Sequence, residues 1–105
     1  MAQSAITSND VHIALADLHQ QITALGVKRL ALFGSVLRND ARTDSDVDFI
    51  VEFKPGDKTY RHLFALGELL EQRFARRVEL VTREALSPFL RQHILSEVTD
   101  VFRSA

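Results

Sequence analysis

Residues 46–53, DVDFIVEF, alternate apolar and polar side chains so regularly that the pattern predicts a β-strand with two unlike faces. Val47, Phe49, Val51 and Phe53 share one face, and Asp46, Asp48, Ile50 and Glu52 share the other. The first face needs a layer of apolar side chains over it. The second carries two carboxylates two residues apart, which repel each other unless a cation or a proton comes between them. The chain must therefore build a sheet that is covered on one side and open on the other.

The surrounding sequence supplies the rest of that sheet and its cover. Residues 27–33 (VKRLALF) predict a buried strand, and residues 77–82 (RVELVT) a third. Ahead of them, Ser8 or Asn9 is expected to cap a helix with Val11, Leu15, Leu18, Ile22 and Leu25 on one face, ended by Gly26. The first seven residues are expected to form a loose end. Pro55-Gly56-Asp57 marks a turn, followed by an amphipathic helix over 59–76 whose apolar stripe is Leu63, Leu66, Leu69, Leu70 and Phe74. From residue 83 onward the spacing predicts more helix, restarted near Pro88, with Phe89, Leu90, Ile94, Val98 and Val101 packing inward.

Helices and strands in this order imply an α/β (α+β) fold, a small mixed β-sheet with helices packed on one face. At 105 residues a single domain spanning 1–105 is expected. The chain has no cysteine, so disulfides and thiolate zinc sites are excluded. A formal charge of −1 gives no reason to expect non-specific nucleic-acid binding. No apolar run approaches the roughly 20 residues of a membrane span, and the N-terminus lacks the features of a secretory signal. No membrane association is therefore expected, and a cytoplasmic location is the default. His12, His19, His62 and His93 show no metal-ligand spacing, and Arg73, Arg76 and Arg77 read as favourable charge near a helix C-terminus.

Three features of residues 32–51 and beyond point to phosphate chemistry. The strand over 27–33 ends in Gly34-Ser35, with room for only a short helical turn over 35–38. A glycine there lets a phosphate approach the backbone, and the serine hydroxyl adds a donor. Asp46 and Asp48 form a pair suited to Mg²⁺, which takes hard oxygen ligands and completes its shell with phosphate and water. Glu79, between inward-facing Val78 and Leu80, is expected to project onto the same open face.

Gly34-Ser35, Ser45-Asp46-Val47-Asp48 and Val78-Glu79-Leu80-Val81 together resemble the polymerase-β-type nucleotidyltransferase superfamily. Within it the chain is most similar to the minimal nucleotidyltransferases found beside HEPN-domain proteins in toxin–antitoxin systems. The resemblance implies a palm-like sheet, ATP as substrate and two Mg²⁺ ions. It further implies that Gly34 and Ser35 bind the triphosphate, Asp46 and Asp48 ligate both metals, and Glu79 helps hold the metal that activates the acceptor. Arg38 matches an arginine of the extended motif and would steady phosphate or the loop. The implied reaction is transfer of AMP to a hydroxyl of a HEPN-type helical toxin by its antitoxin, within a hetero-oligomer, with a homodimer also compatible.

Two positions depart from the family pattern. Arg38-Asn39 stands where Arg-Gly is usual, and asparagine tolerates the left-handed backbone better than most residues. Glu79 stands where aspartate is usual, displacing the carboxylate by about 1.5 Å, one C–C bond. A misplacement of about 1 Å can cost on the order of 10²-fold in rate, so Glu79 bears on turnover more than on nucleotide binding. Two other functions stay open on the sequence: a module that neutralises its partner by contact alone, and nucleotide transfer to a small molecule.

Overall fold

The alternating segment becomes a central strand of a four-stranded sheet. The structure, a computed structural model, describes residues 5–38, 40–85 and 97–104. Its elements are α1 (Ser8–Asp17), α2 (His19–Ala24), β1 (Val27–Phe33), β2 (Val47–Phe53), α3 (Tyr60–Phe74), β3 (Val78–Thr82) and β4 (Thr99–Arg103). A 3₁₀ turn, Arg83–Ala85, follows β3. The strands lie in the order β3-β2-β1-β4. β1 runs antiparallel to both β2 and β4, and β2 runs parallel to β3.

Burial divides the sheet as the alternation requires. Val47, Phe49 and Val51 are wholly buried and pack with Val11, Leu15 and Ile22 of the first two helices and Leu66, Leu70 and Phe74 of α3. Among the described residues the other face carries a small cluster, Ala31 and Ile50 with Phe33, Val81 and Val98 against them. The described helices thus supply the apolar cover of one face. This is the expected α+β arrangement.

The start of the chain is more ordered than the composition suggested. Thr7, not Ser8 or Asn9, caps α1: its side chain accepts from the Asp10 backbone N–H at 3.2 Å, while the Asp10 carboxylate accepts from the Thr7 N–H at 2.9 Å. This reciprocal pair satisfies two orphan donors at once, which a cap at Ser8 would not. Ile6 is 8% exposed and belongs to the core, so the loose end expected over residues 1–7 does not extend that far; residues 1–4 lie outside the described residues. The single helix expected up to residue 25 is interrupted at Leu18 (φ −96°, ψ 9°), although its apolar stripe keeps facing the core. Gly26 ends α2 at φ +78°, where a Cβ would collide with the Asp57 side chain.

The larger correction is at the C-terminus. Helix was expected throughout, yet Thr99–Arg103 is a strand paired antiparallel with β1. Val98, Val101 and Phe102 fit a three-and-four-residue helical spacing, which is why the pattern misleads. In the sheet the register shifts between Leu30 and Ala31, whose partners are Phe102 and Asp100. That bulge leaves Val101 unpaired and lets the adjacent Val101 and Phe102 both contact the main core. Pro88, Phe89, Leu90 and Ile94 lie outside the described residues. Among the described residues no helix is long and apolar enough to cross a membrane.

Candidate active site

Register alone gathers the candidate residues. Arg42 N–H donates to Ser45 Oγ at 2.7 Å and Ser45 N–H to the Arg42 carbonyl at 3.1 Å, turning the chain into Asp46. Val47 N–H donates to the Arg77 carbonyl at 3.1 Å, which fixes the starts of β2 and β3 side by side. The parallel register then sets Asp48 opposite Glu79, on the same face. On its other side Asp48 lies opposite Phe33, the residue before Gly34.

Gly34 closes the arrangement. It has φ +80°, and a Cβ built there would overlap the Asp48 carboxyl group, whose Cγ is 3.2 Å away. Glycine is required here twice, by its backbone conformation and by the acid pressed against it. The chain leaves in the single helical turn foreseen, with Arg38 N–H donating to the Gly34 carbonyl at 3.2 Å and Asp40 N–H to the Ser35 carbonyl at 2.9 Å. The opening N–H groups of such a turn find no acceptor within it. Val36 anchors the turn in the core, fully buried, while Ser35 remains half-buried at its mouth.

The electrostatics are those of a site built around negative charge. Burial, a side-chain hydrogen bond to Glu79, and the charges of Glu79 and Asp46 push the Asp48 carboxyl up from 3.8 to about 7, against a smaller opposing pull from Arg38. Like charges this close disfavour the ionised Asp48, and a cation between them would relieve that repulsion. Arg38 stands at the rim and makes its ion pairs with Asp40 at 3.4 Å and Glu97 at 4.0 Å. Asn39 lies outside the described residues.

The donor set suits Mg²⁺. Among the described residues no group of three or more His, Asp or Glu side chains forms a cage that could hold a metal ion. Mg²⁺ does not need one: it keeps several waters and is bound through one or two carboxylates plus substrate phosphates. The charge strain at Asp48 and the glycine beside it are the features that such an ion with its phosphates would relieve and occupy.

An ionic patch further along the open face escaped the sequence reading. Arg29 pairs with Asp100 at 2.6 Å and with Glu52 at 3.8 Å, and Arg83 also reaches Glu52, at 3.9 Å. Burial works to raise the Asp100 carboxyl, but hydrogen bonds from Arg103 and Arg29 outweigh it and hold the group below its ordinary value. Glu52 was legible in the alternation of β2, but its neighbours were not, because Asp100 sits on the strand that resembled helix.

With this geometry in place, comparison with known proteins is informative. The sequence profile of the family described as "Nucleotidyltransferase domain" matches residues 15–101. The protein adenylyltransferase MntA of Thermococcus cleftensis is 36% identical over 76 residues, 72% of this chain and 76% of the relative. A solved structure provisionally described as a minimal nucleotidyltransferase superposes with a TM-score of 0.78 at 31% identity, covering 92% of this chain and 98% of the other. The MNT antitoxin solved with a tri-AMPylated HEPN toxin of Shewanella oneidensis shares the fold, with a TM-score of 0.63 at 16% identity, over 90% of this chain and 73% of its own.

Proposed function

Because the chain belongs to the nucleotidyltransferase-domain family and is a nucleotidyltransferase, we propose that it moves AMP from ATP onto a hydroxyl of a HEPN-type protein, as the antitoxin of that toxin. The observation that carries the site assignment is the position of Asp48, between the Gly34 turn and Glu79, with a carboxyl pushed up to about 7 by burial and neighbouring acids. The adenylyltransferase name of the archaeal relative and the modified toxin held by the structural neighbour support the choice of nucleotide and acceptor.

In this reading Gly34 lets the triphosphate approach the backbone, and Ser35 Oγ with the N–H groups of its turn donates to phosphate oxygens. Asp46 and Asp48 would hold two Mg²⁺ ions, with Glu79 as the third carboxylate. When bound, those ions neutralise the triphosphate, activate the acceptor hydroxyl and stabilise the departing pyrophosphate. Arg38, at the rim, meets phosphate charge once substrate replaces its exposed ion pairs. The acceptor oxygen would form its bond to the α-phosphorus as the bond to pyrophosphate breaks, with Glu79 as the carboxylate that would take the hydroxyl proton. The parallel register that sets Glu79 opposite Asp48 supports keeping it in the site despite its extra methylene.

The test uses the purified chain, its HEPN-type partner, Mg²⁺ and ATP labelled at the α-phosphate. Label should move to the partner and should be lost with Asp46→Asn or Asp48→Asn. Neutralisation that survives both substitutions without any transfer of label would replace this reading with a binding module.

A further inference from the structure

α3 (Tyr60–Phe74) turns Leu66, Leu70 and Phe74 into the core and leaves two aromatic side chains on its outward side. Tyr60 is 92% exposed and Phe64, one turn on, is 68% exposed. Scattered apolar residues on a surface need no explanation, but two exposed aromatic side chains four residues apart on one helix strip do. Alongside runs a second strip holding Arg61 and Glu68, both exposed and two turns apart. Among the described residues neither has an ion-pair partner, whereas Arg73 near the end of the same helix is paired with Asp17 at 2.8 Å.

The order of these residues makes the face complementary to itself. Arg61 and Glu68 are placed symmetrically about a point between Phe64 and Ala65. A two-fold axis through that point, perpendicular to the helix, lays the face on a reversed copy of itself. Each strip then meets its own counterpart. Arg61 falls opposite Glu68 of the second copy and Glu68 opposite its Arg61, while the two Phe64 rings come together near the axis. One symmetry operation thus satisfies both charges and covers Phe64. We infer that the outer face of α3 is where two copies of this chain pair, antiparallel and two-fold related.

A 15-residue helix is about 22 Å long at 1.5 Å per residue. A single helix pair of that length covers less than the roughly 800 Å² per partner of a standard interface. The association is therefore expected to be reversible, with a dissociation constant in the micromolar to sub-millimolar range, and to leave the acidic face of the sheet open.

Sedimentation equilibrium of the full chain from about 10 µM to about 1 mM tests this directly. The wild type should move from monomer to dimer over that range. Arg61→Glu and Glu68→Arg should each weaken the dimer at least about 10-fold, by setting like charges opposite one another. The double variant R61E/E68R should recover wild-type affinity within about threefold, since it only exchanges the ends of each pair. Phe64→Ser should also weaken the dimer, with circular dichroism confirming the fold. A chain that stays monomeric throughout overturns the inference, as does a dimer indifferent to these substitutions or a double variant that does not recover. If the wild type is monomeric and the single variants instead lose capture of the helical protein, the face belongs to that partner and the inference is equally lost. Because the readout is mass and not nucleotide transfer, either conclusion leaves the catalytic reading untouched.

Discussion

Burial, Glu79 and Asp46 disfavour the charge of Asp48 against only a smaller pull from Arg38, and that separates its contribution to stability from its contribution to chemistry. Replacing it with asparagine keeps the shape and removes the charge that burial, Glu79 and Asp46 disfavour. In metal-free protein at about pH 8 Asp48→Asn should raise the melting temperature, while AMP transfer falls by at least about 10²-fold. A variant that lost stability along with activity would mean that the carboxylate supports the fold. Gly34→Ala should fail in both respects. It forces a side chain to φ +80° and into the Asp48 carboxyl, for about 1–3 kcal/mol of strain, with transfer falling as the phosphate approach fills. Chemical denaturation and the transfer assay read the two losses separately. The carboxylates were legible in the sequence because alternation fixes which side chains share a face. That Glu79 shares their face was legible from its place between Val78 and Leu80, but its position opposite Asp48 and the approach of Gly34 were not, since they depend on strand order and register.

At the level of elements, the helices and the first three strands followed from periodicity because each has one face to hide. β4 did not follow, and the reason is its bulge: Val101 and Phe102, adjacent in sequence, both reach the core, which neither a period of two nor a period of 3.6 describes. The strand is nonetheless a structural necessity, since it pairs along the outer edge of β1 and seats Phe102, only 5% exposed, against the helices. Phe102→Ala should cost about 3–5 kcal/mol, the range for emptying a buried phenyl site. By contrast, losing the hydroxyl that caps α1 through Thr7→Ala should cost about 1 kcal/mol. Urea denaturation of the two variants measures both. If Phe102→Ala proved as mild as the cap variant, β4 would be a peripheral flap and not part of the cooperative unit.

For the whole molecule, these local charges combine into an unusual dependence of stability on pH. A carboxyl raised in the folded state from 3.8 to about 7 keeps its proton on folding across that window, while the unfolded chain has already released it. The folded state therefore binds more protons, and stability falls as pH rises from about 4 to about 7. Asp100 and Glu84 act in the opposite sense: Asp100, held below its ordinary value by hydrogen bonds from Arg103 and Arg29 that outweigh its burial, and Glu84, held below by a hydrogen bond from its own backbone and then by Lys58, stabilise above the usual carboxylate range and lose that contribution as pH falls through their folded values. The metal-free protein should thus be most stable just above pH 4 and decline toward neutrality, contrary to the usual optimum of about pH 5–8. In the proposed reading Mg²⁺ would compete with the proton for these carboxylates, so its stabilisation should be small at about pH 5 and grow through pH 7, flattening the profile. Melting temperatures across this range, with chelator and with millimolar Mg²⁺, test the argument, and Asp48→Asn should abolish both the decline and much of the Mg²⁺ response. A metal-free profile that rises toward neutral pH would show that Asp48 is ionised without help, and the acidic pair would then need no cation to explain it.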